Sequence, residues 1–451
     1  MSTNRRNFLM TSLFGAGAVG LRAVATGLPV KYFLDPDRAF ADTPPPACVA
    51  AAGAAQFLIL SIDQSASPLN ANVPGTYDAG VVHPATAEYQ KAPIVLAGKT
   101  YNGNALWNKL TQTTLDRTCF FHSSTQTTIH PDMPKVLNLM GATYASEMLP
   151  SLISHNLASC LGTLQSAPVS VVGTTASEYV RYQGRTLPNL NAIALKNILT
   201  QPAGPLTNLQ SLRDKSLDAI WNRLKGSPYA NSAQKNFIDS LATSRQQVRS
   251  ISQSLLSNLT GITSNDSDGQ VTAAVALIQM KISPVVVLRI PFGGDNHSDA
   301  NLQNESDDGL SADSPTNPTS GVPLITTLMT KLQSAGLQDQ VTFATLNVFG
   351  RTLTQLGSAG RNHWAEHHAS VIIGSKIRGS VVGGVQLNSA LGEYTAMPVD
   401  SASGTATING DVVTTDLLAS FGKTLCHAVG LPQSLYDQQI SKGKPILGAL
   451  R

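Results

Sequence analysis

The sequence predicts an α/β fold: a mostly parallel central sheet with helices on both faces. Three observations carry that prediction. Short, strongly apolar runs recur along the chain, and between them stand stretches with apolar residues three and four positions apart. A strand that is apolar throughout belongs in a sheet covered on both faces, and its alternation with amphipathic helices is the pattern of parallel crossovers. The chain has 451 residues, of which 42% are apolar and 13% charged, so a large buried core is available to it.

Taken in order, "QFLILSID" is the first predicted strand, and it follows a Pro-rich linker at residues 42–55. Further strands are predicted at "CFFHSS", "APVSVVGT", "PVVVLRI", "VTFATLNVFG" and "ASVIIGS". Helices are predicted at "MLPSLISHNLASCLG", "QVTAAVALIQMKIS", "LITTLMTKLQSAGL" and "TDLLASFGKTLCHAVGL". Residues 206–260 hold helical patterns with no strand among them, which reads as a helical insertion or cap on a single α/β domain spanning 56–451. In such sheets the ligand site lies beyond the carboxyl ends of the strands. The polar stretches "FGGDNHSDANLQNESDDGL" and "GRTLTQLGSAGRNHWAEHH" each follow a predicted strand directly.

The first 41 residues differ from the rest. Arg5 and Arg6 precede an uncharged run from Phe8 to Leu21, and Ala39 and Ala41 form an A-x-A site before Asp42. This resembles a twin-arginine export signal, which implies the export machinery as a partner and a periplasmic or exported mature protein. The uncharged run is shorter than the roughly 18 residues a membrane span needs. Five basic and two acidic groups in this segment account for the whole net charge of +3, so the remainder is balanced. That balance offers no electrostatic case for nucleic acid or an anionic membrane surface.

Four cysteines, Cys48, Cys119, Cys160 and Cys426, show no metal-binding spacing. Buried free thiols are the favoured reading, with disulfides open to an oxidising compartment. Two glycine motifs are decoys. "GAGAVG" lies within the export signal, and "PIVLAGKT" has Pro93 where a phosphate loop needs its first glycine. "SNDSDGQ" lacks the closing glutamate of a calcium loop and reads as a solvated turn.

Three clusters remain as candidates for chemistry. Asp295 and His297 are two apart at a strand end, so on extended backbone both leave on one side and can share an ion at roughly 2.0 to 2.2 Å. His363 follows Asn362 in the second polar stretch, where Arg351 and Arg361 could contact an oxyanion; His367 and His368 read there as solvated loop. In "FFHSSTQTTIHPDMPKV", a hydroxyl such as Thr127 or Thr128, with His130 nearby, precedes a helix opened by Pro131 and Asp132 and could act as a nucleophile. Ordinary helix capping is the plainer reading of those hydroxyls.

In order along the chain, "LILSIDQSASPLNANVP", "FGGDNHSD", "VFGRTLTQLGSAGRNHW" and the closing "VVTTDLLASFGKTLCHAVGLP" resemble the bacterial family catalogued as domain of unknown function 1501. That family is a sulfatase-like branch of the alkaline phosphatase superfamily. The resemblance implies an alkaline-phosphatase-like fold and one or two divalent metals, zinc among them, held by acidic residues and histidines beside an alcohol nucleophile. On this chain it points to Asp295, His297, Asn362 and His363 as metal residues, with Asp63 as a substitute carboxylate. Thr127, Thr128, His130, Arg351 and Arg361 then fall on the catalytic side. The chain departs from the family where carboxylates are expected, at Ser67, Val348 and Asn362. Two functions follow as expectations: a metal-dependent hydrolase of small-molecule or polymeric phosphate or sulfate esters, or a degenerate member that binds or scaffolds at the cell envelope.

Overall fold

The computed structural model describes residues 47–451, apart from 78–79, 139–147, 173–179, 183–184, 188, 309–320, 355–359 and most of 201–258. The expected export signal and most of the expected insertion lie outside the described residues. At the centre is a seven-stranded sheet of β1 (Phe57–Asp63), β2 (Thr118–Ser123), β3 (Val169–Ser170), β4 (Val285–Leu288), β5 (Val341–Asn347), β6 (His368–Ile373) and β7 (Ser380–Val382), in the order β7-β2-β6-β5-β1-β4-β3. The fold is α/β with a mostly parallel sheet. β1 lies parallel to β4 and β5, β4 parallel to β3, and β2 parallel to β7, whereas β6 opposes both its neighbours.

β1 shows why the runs are apolar throughout. Phe57 and Ile59 enter one core while Leu58, Leu60 and Ile62 enter the other, because side chains alternate across a pleated strand. Each such side chain, once buried, stabilises the fold by roughly 1.5–3 kcal/mol. Among the described residues the five longer helices are α1 (Leu149–Leu161), α2 (Ala192–Thr200), α3 (Ser267–Gln279), α4 (Gly321–Ser334) and α5 (Leu417–Ala428). α2, α3 and α4 supply the first core and α1 and α5 the second, so the sheet is covered on both faces.

Local signals account for several helix ends. Asp266, within the expected solvated turn, caps α3 instead, its carboxylate accepting from the Gly269 N–H at 2.8 Å. Gly162 ends α1 in the left-handed conformation that glycine adopts without steric cost. "GKT" falls in a β-hairpin, where Ala97 and Gly98 turn the chain with positive φ between Lys91–Leu96 and Lys99–Asn104. Cys48 and Cys160 form a disulfide that ties the linker to α1, which corrects the expectation of free thiols for these two, whereas Cys119 and Cys426 are buried and free. No helix of the described residues is long and apolar enough to cross a membrane.

The reversal of β6 decides the architecture of one sheet edge. The chain leaves β5 at Asn347, and β6, which begins at His368, runs back beside it in the opposite sense. An antiparallel return needs no crossover helix. Loops after β1, β2, β4 and β5 and the start of β6 therefore share one edge.

Candidate metal centre

Four side chains from three segments meet at this edge. His130 ends the loop after β2, where it begins a short helical turn, His130–Asp132. Asp295 and His297 lie in the loop after β4, and His363 lies in a two-stranded ribbon that pairs Arg351 with His363 and Gly350 with Trp364. The loops are joined by backbone hydrogen bonds. Gly360 N–H donates to the His297 carbonyl at 2.9 Å, Arg361 N–H to the Asn296 carbonyl at 3.2 Å, and Thr125 N–H to the Ala365 carbonyl at 3.0 Å.

The donor atoms face one another. His363 Nε2 stands 2.6 Å from His297 Nε2 and 3.1 Å from His130 Nε2. Asp295 Oδ1 lies 3.2 Å from His297 Nε2 and 3.8 Å from His363 Nε2, and Asp295 Oδ2 lies 3.3 Å from His130 Nε2. Tetrahedral ligands at 2.0–2.2 Å from an ion are roughly 3.3–3.6 Å from each other, and the observed separations, from 2.6 to 3.8 Å, bracket that range. His130, Asp295 and His363 form a group that could hold a metal ion, their donor atoms all within 4.8 Å of one another.

Tautomers sharpen the point. His130 Nδ1–H donates to the Gln64 carbonyl at 2.6 Å, and His363 Nδ1–H donates to the Thr128 carbonyl at 2.8 Å. A carbonyl only accepts, so each neutral ring keeps its proton on Nδ1 and turns a bare Nε2 lone pair inward. Two lone pairs at 3.1 Å require a proton or a cation between them. A proton satisfies one pair, whereas a divalent ion satisfies the whole donor set. Burial, with the Arg351 charge, lowers the His363 pKa to about 4, which keeps the ring neutral and ready to ligate. Burial raises the pKa of Asp295, but its ion pair with Arg351 at 2.8 Å outweighs this and holds the carboxyl below its ordinary value. Phe349 packs at a tilt against both rings, with centroids 4.9 Å from His130 and 4.2 Å from His363.

Several expected residues have other work. Arg351 is fully buried. Besides Asp295 it donates to the carbonyls of Ser65, Ala66 and Arg361, so it holds a carboxylate in place and offers no free guanidinium to an oxyanion. Arg361 turns inward as well, bound to Glu305 at 2.7 Å and to the Thr352, Leu353 and Val82 carbonyls. Asp63 is buried at the end of β1 and accepts from Arg289 Nε at 3.1 Å, outside the donor group. Asn362 is exposed and contributes through its backbone, which exchanges hydrogen bonds with Thr352. Thr127 Oγ1 donates to Asp132 and accepts from the Ile129 N–H, a local turn ahead of the His130–Asp132 helix and not the expected cap, since the N-cap there, Ile129, makes no side-chain bond; Thr128 is exposed and supplies the carbonyl that orients His363.

His367 and His368 correct the sequence reading outright, because both are fully buried. His367 Nε2 pairs with His122 Nδ1 at 2.9 Å, and its Nδ1 accepts from Asn70 at 3.1 Å. His368 Nε2 accepts from the Asn347 N–H at 3.1 Å. Asn70 in turn holds Arg351, accepting from its N–H at 2.9 Å and donating to its carbonyl at 2.8 Å. Sequence reasoning missed Asn70 and Glu305. A polar residue becomes a buried partner only when distant loops close over it, and no local spacing signals that.

No protein-family model matches this chain, and a search of curated proteins finds no match.

Proposed function

We propose that this chain is an exported, metal-dependent hydrolase of phosphate or sulfate esters, related to the alkaline phosphatases and working at a single ion held by His130, Asp295, His297 and His363. The observation that carries the reading is the convergence of three imidazole Nε2 atoms and one carboxylate on a common point. Three nitrogens with one carboxylate oxygen favour zinc over magnesium or calcium, which prefer all-oxygen sets. A bound divalent ion would supply Lewis acidity toward an ester oxygen.

The chain's own residues supply the rest. Asp295 provides the negative charge, and Arg351 keeps it ionised and fixes its direction. The Gln64 and Thr128 carbonyls fix the two anchored rings. Asp295 and His297 are each 44% exposed, so one side of the donor group is open for an ester to approach. Thr128, exposed and bonded through its carbonyl to His363, is the hydroxyl we assign as nucleophile. The disulfide at Cys48 supports maturation in an oxidising compartment after removal of the leader at residues 1–41.

One observation favours the second reading, a degenerate member that binds or scaffolds. Where the resemblance expects carboxylates, Ser67 and Val348 are buried and uncharged and Asn362 is neutral, so charge for a second ion is missing. Metal content of the purified protein, with turnover of aryl phosphates and aryl sulfates by the native chain and by His363→Ala, separates the two. Stoichiometric metal with turnover lost in the variant supports the hydrolase. Bound metal without turnover supports the binding protein, and a chain with neither metal nor turnover overturns the hydrolase.

A further inference from the structure

Glu305 lies in the first polar stretch, where no local spacing marks it for a role, yet its side chain is fully buried and engages both loops that carry the donor group. Its Oε2 accepts from Arg361 Nε at 2.7 Å and from Asn296 Nδ2 at 3.2 Å. Its Oε1 accepts from Asn72 Nδ2 at 2.6 Å and from Arg361 Nη2 at 3.1 Å. Asn296 stands between Asp295 and His297, and Arg361 stands two residues before His363. One carboxylate thus grips the residue between two donors and the approach to a third.

We infer that Glu305 is a positioning residue: a buried carboxylate clamp that sets the distance between the Asp295–His297 loop and the His363 ribbon, and so the affinity of the donor group for its ion. The metal part of this inference rests on the reading of the site given above. Asp299, at the end of the Asp295–His297 loop, accepts from the Glu305 N–H at 2.8 Å. One anchor of the clamp lies apart from the donor loops: the Tyr89 hydroxyl donates to the Glu305 carbonyl at 2.8 Å. Such anchoring lets the carboxylate act as a fixed post instead of following the loops it holds. Beside it, Gly360 passes so close to the Asn296 carbonyl that an added Cβ would overlap it, and the Gly360 and Arg361 N–H groups bond across the same gap. The clamp and this backbone pairing close one seam.

Glu305→Gln is the discriminating change. All four contacts to the carboxylate are donors, and a glutamine amide turns an NH2 group toward two of them inside a buried space. Two readouts apply to the full-length mature chain: zinc-ion affinity by competition with a chromophoric chelator, and amide hydrogen exchange of metal-free protein over residues 294–299 and 360–364. Zinc binding is expected to weaken roughly 10- to 100-fold, with exchange rising in both segments together while the central strands stay protected. Unchanged affinity in a folded Glu305→Gln protein, with unchanged exchange, overturns the inference. Should that variant not fold, Asn296→Leu leaves the Glu305–Arg361 pair intact and cuts the link to the Asp295–His297 loop. It is expected to weaken zinc binding and raise exchange at 294–299, and no change in either defeats the clamp. Should the native chain bind no zinc, the proposed function fails while the exchange measurement still decides the clamp.

Discussion

His130 is the residue whose role changes most between sequence and structure, and His130→Ala tests the change directly. The sequence places it beside a hydroxyl nucleophile, whereas its Nε2 lies 3.1 Å from His363 Nε2 and 3.3 Å from Asp295 Oδ2. Four-donor zinc sites bind with about 10–16 kcal/mol, so one imidazole accounts for roughly 3–4 kcal/mol, a factor of about 100 to 1,000 in affinity. The metal-free fold is expected to lose far less. The variant removes one of two facing lone pairs and one hydrogen bond to the half-buried Gln64 carbonyl, a cost of about 1 kcal/mol. Thermal unfolding across a zinc titration reads both effects. At zinc 100 times the native Kd, binding adds about 2.7 kcal/mol of stability. With an unfolding entropy near 2.1 cal/mol/K per residue over roughly 400 residues, that raises Tm by about 3 °C. The same zinc concentration should raise Tm of His130→Ala by less than about 0.5 °C. A variant whose Tm follows the native titration curve refutes the placement of His130 in the donor set.

Three further outcomes are expected. His122 and His368 are held neutral by burial, with pKa values of about 4 and about 3, against roughly 6.5 in the unfolded chain. Between those values the unfolded state binds protons that the folded state does not, so their contribution is complete above about pH 6.5 and is lost as pH falls toward 4, on the order of 3 kcal/mol per ring; denaturant midpoints at pH 7.5 and 4.5 that coincide would contradict this. Cys160→Ser opens a covalent loop of 112 residues, and loop-closure entropy sets the destabilisation at up to about 5 kcal/mol, read as a lower urea midpoint that reductant reproduces in the native chain. Gly360→Ala forces the Asn296 carbonyl away and should weaken zinc binding about tenfold or more by chelator competition, and unaltered affinity would show that the seam does not control the site.

The fold was largely legible because burial on both faces leaves a local trace. Every residue of β1 is buried, and the run "FLILSID" shows it directly. α2 escaped notice, and so did the short edge strand β7, since three residues carry too little periodicity to stand out. At the site, Asp295 and His297 were legible as a pair because two residues on extended backbone share a side. His367 and His368 were misread for the converse reason. A polar residue at the start of a strand looks solvated until the partner strand is known, and His368 lies opposite Ser123 in the middle of the sheet.

By itself the sequence determined the alternation of apolar strands with amphipathic helices, the side of the sheet on which polar loops emerge, and the residue types able to bind an ion. Those properties depend on neighbours within a few positions. Only the tertiary structure decided that His130 joins Asp295, His297 and His363, that Arg361 turns to Glu305 and away from solvent, and that Asp63 pairs with Arg289. These depend on strand order and on the reversal of β6, which bring together segments up to 233 residues apart. Local chemistry specifies what each loop can offer, and the order of strands in the sheet specifies which loops meet.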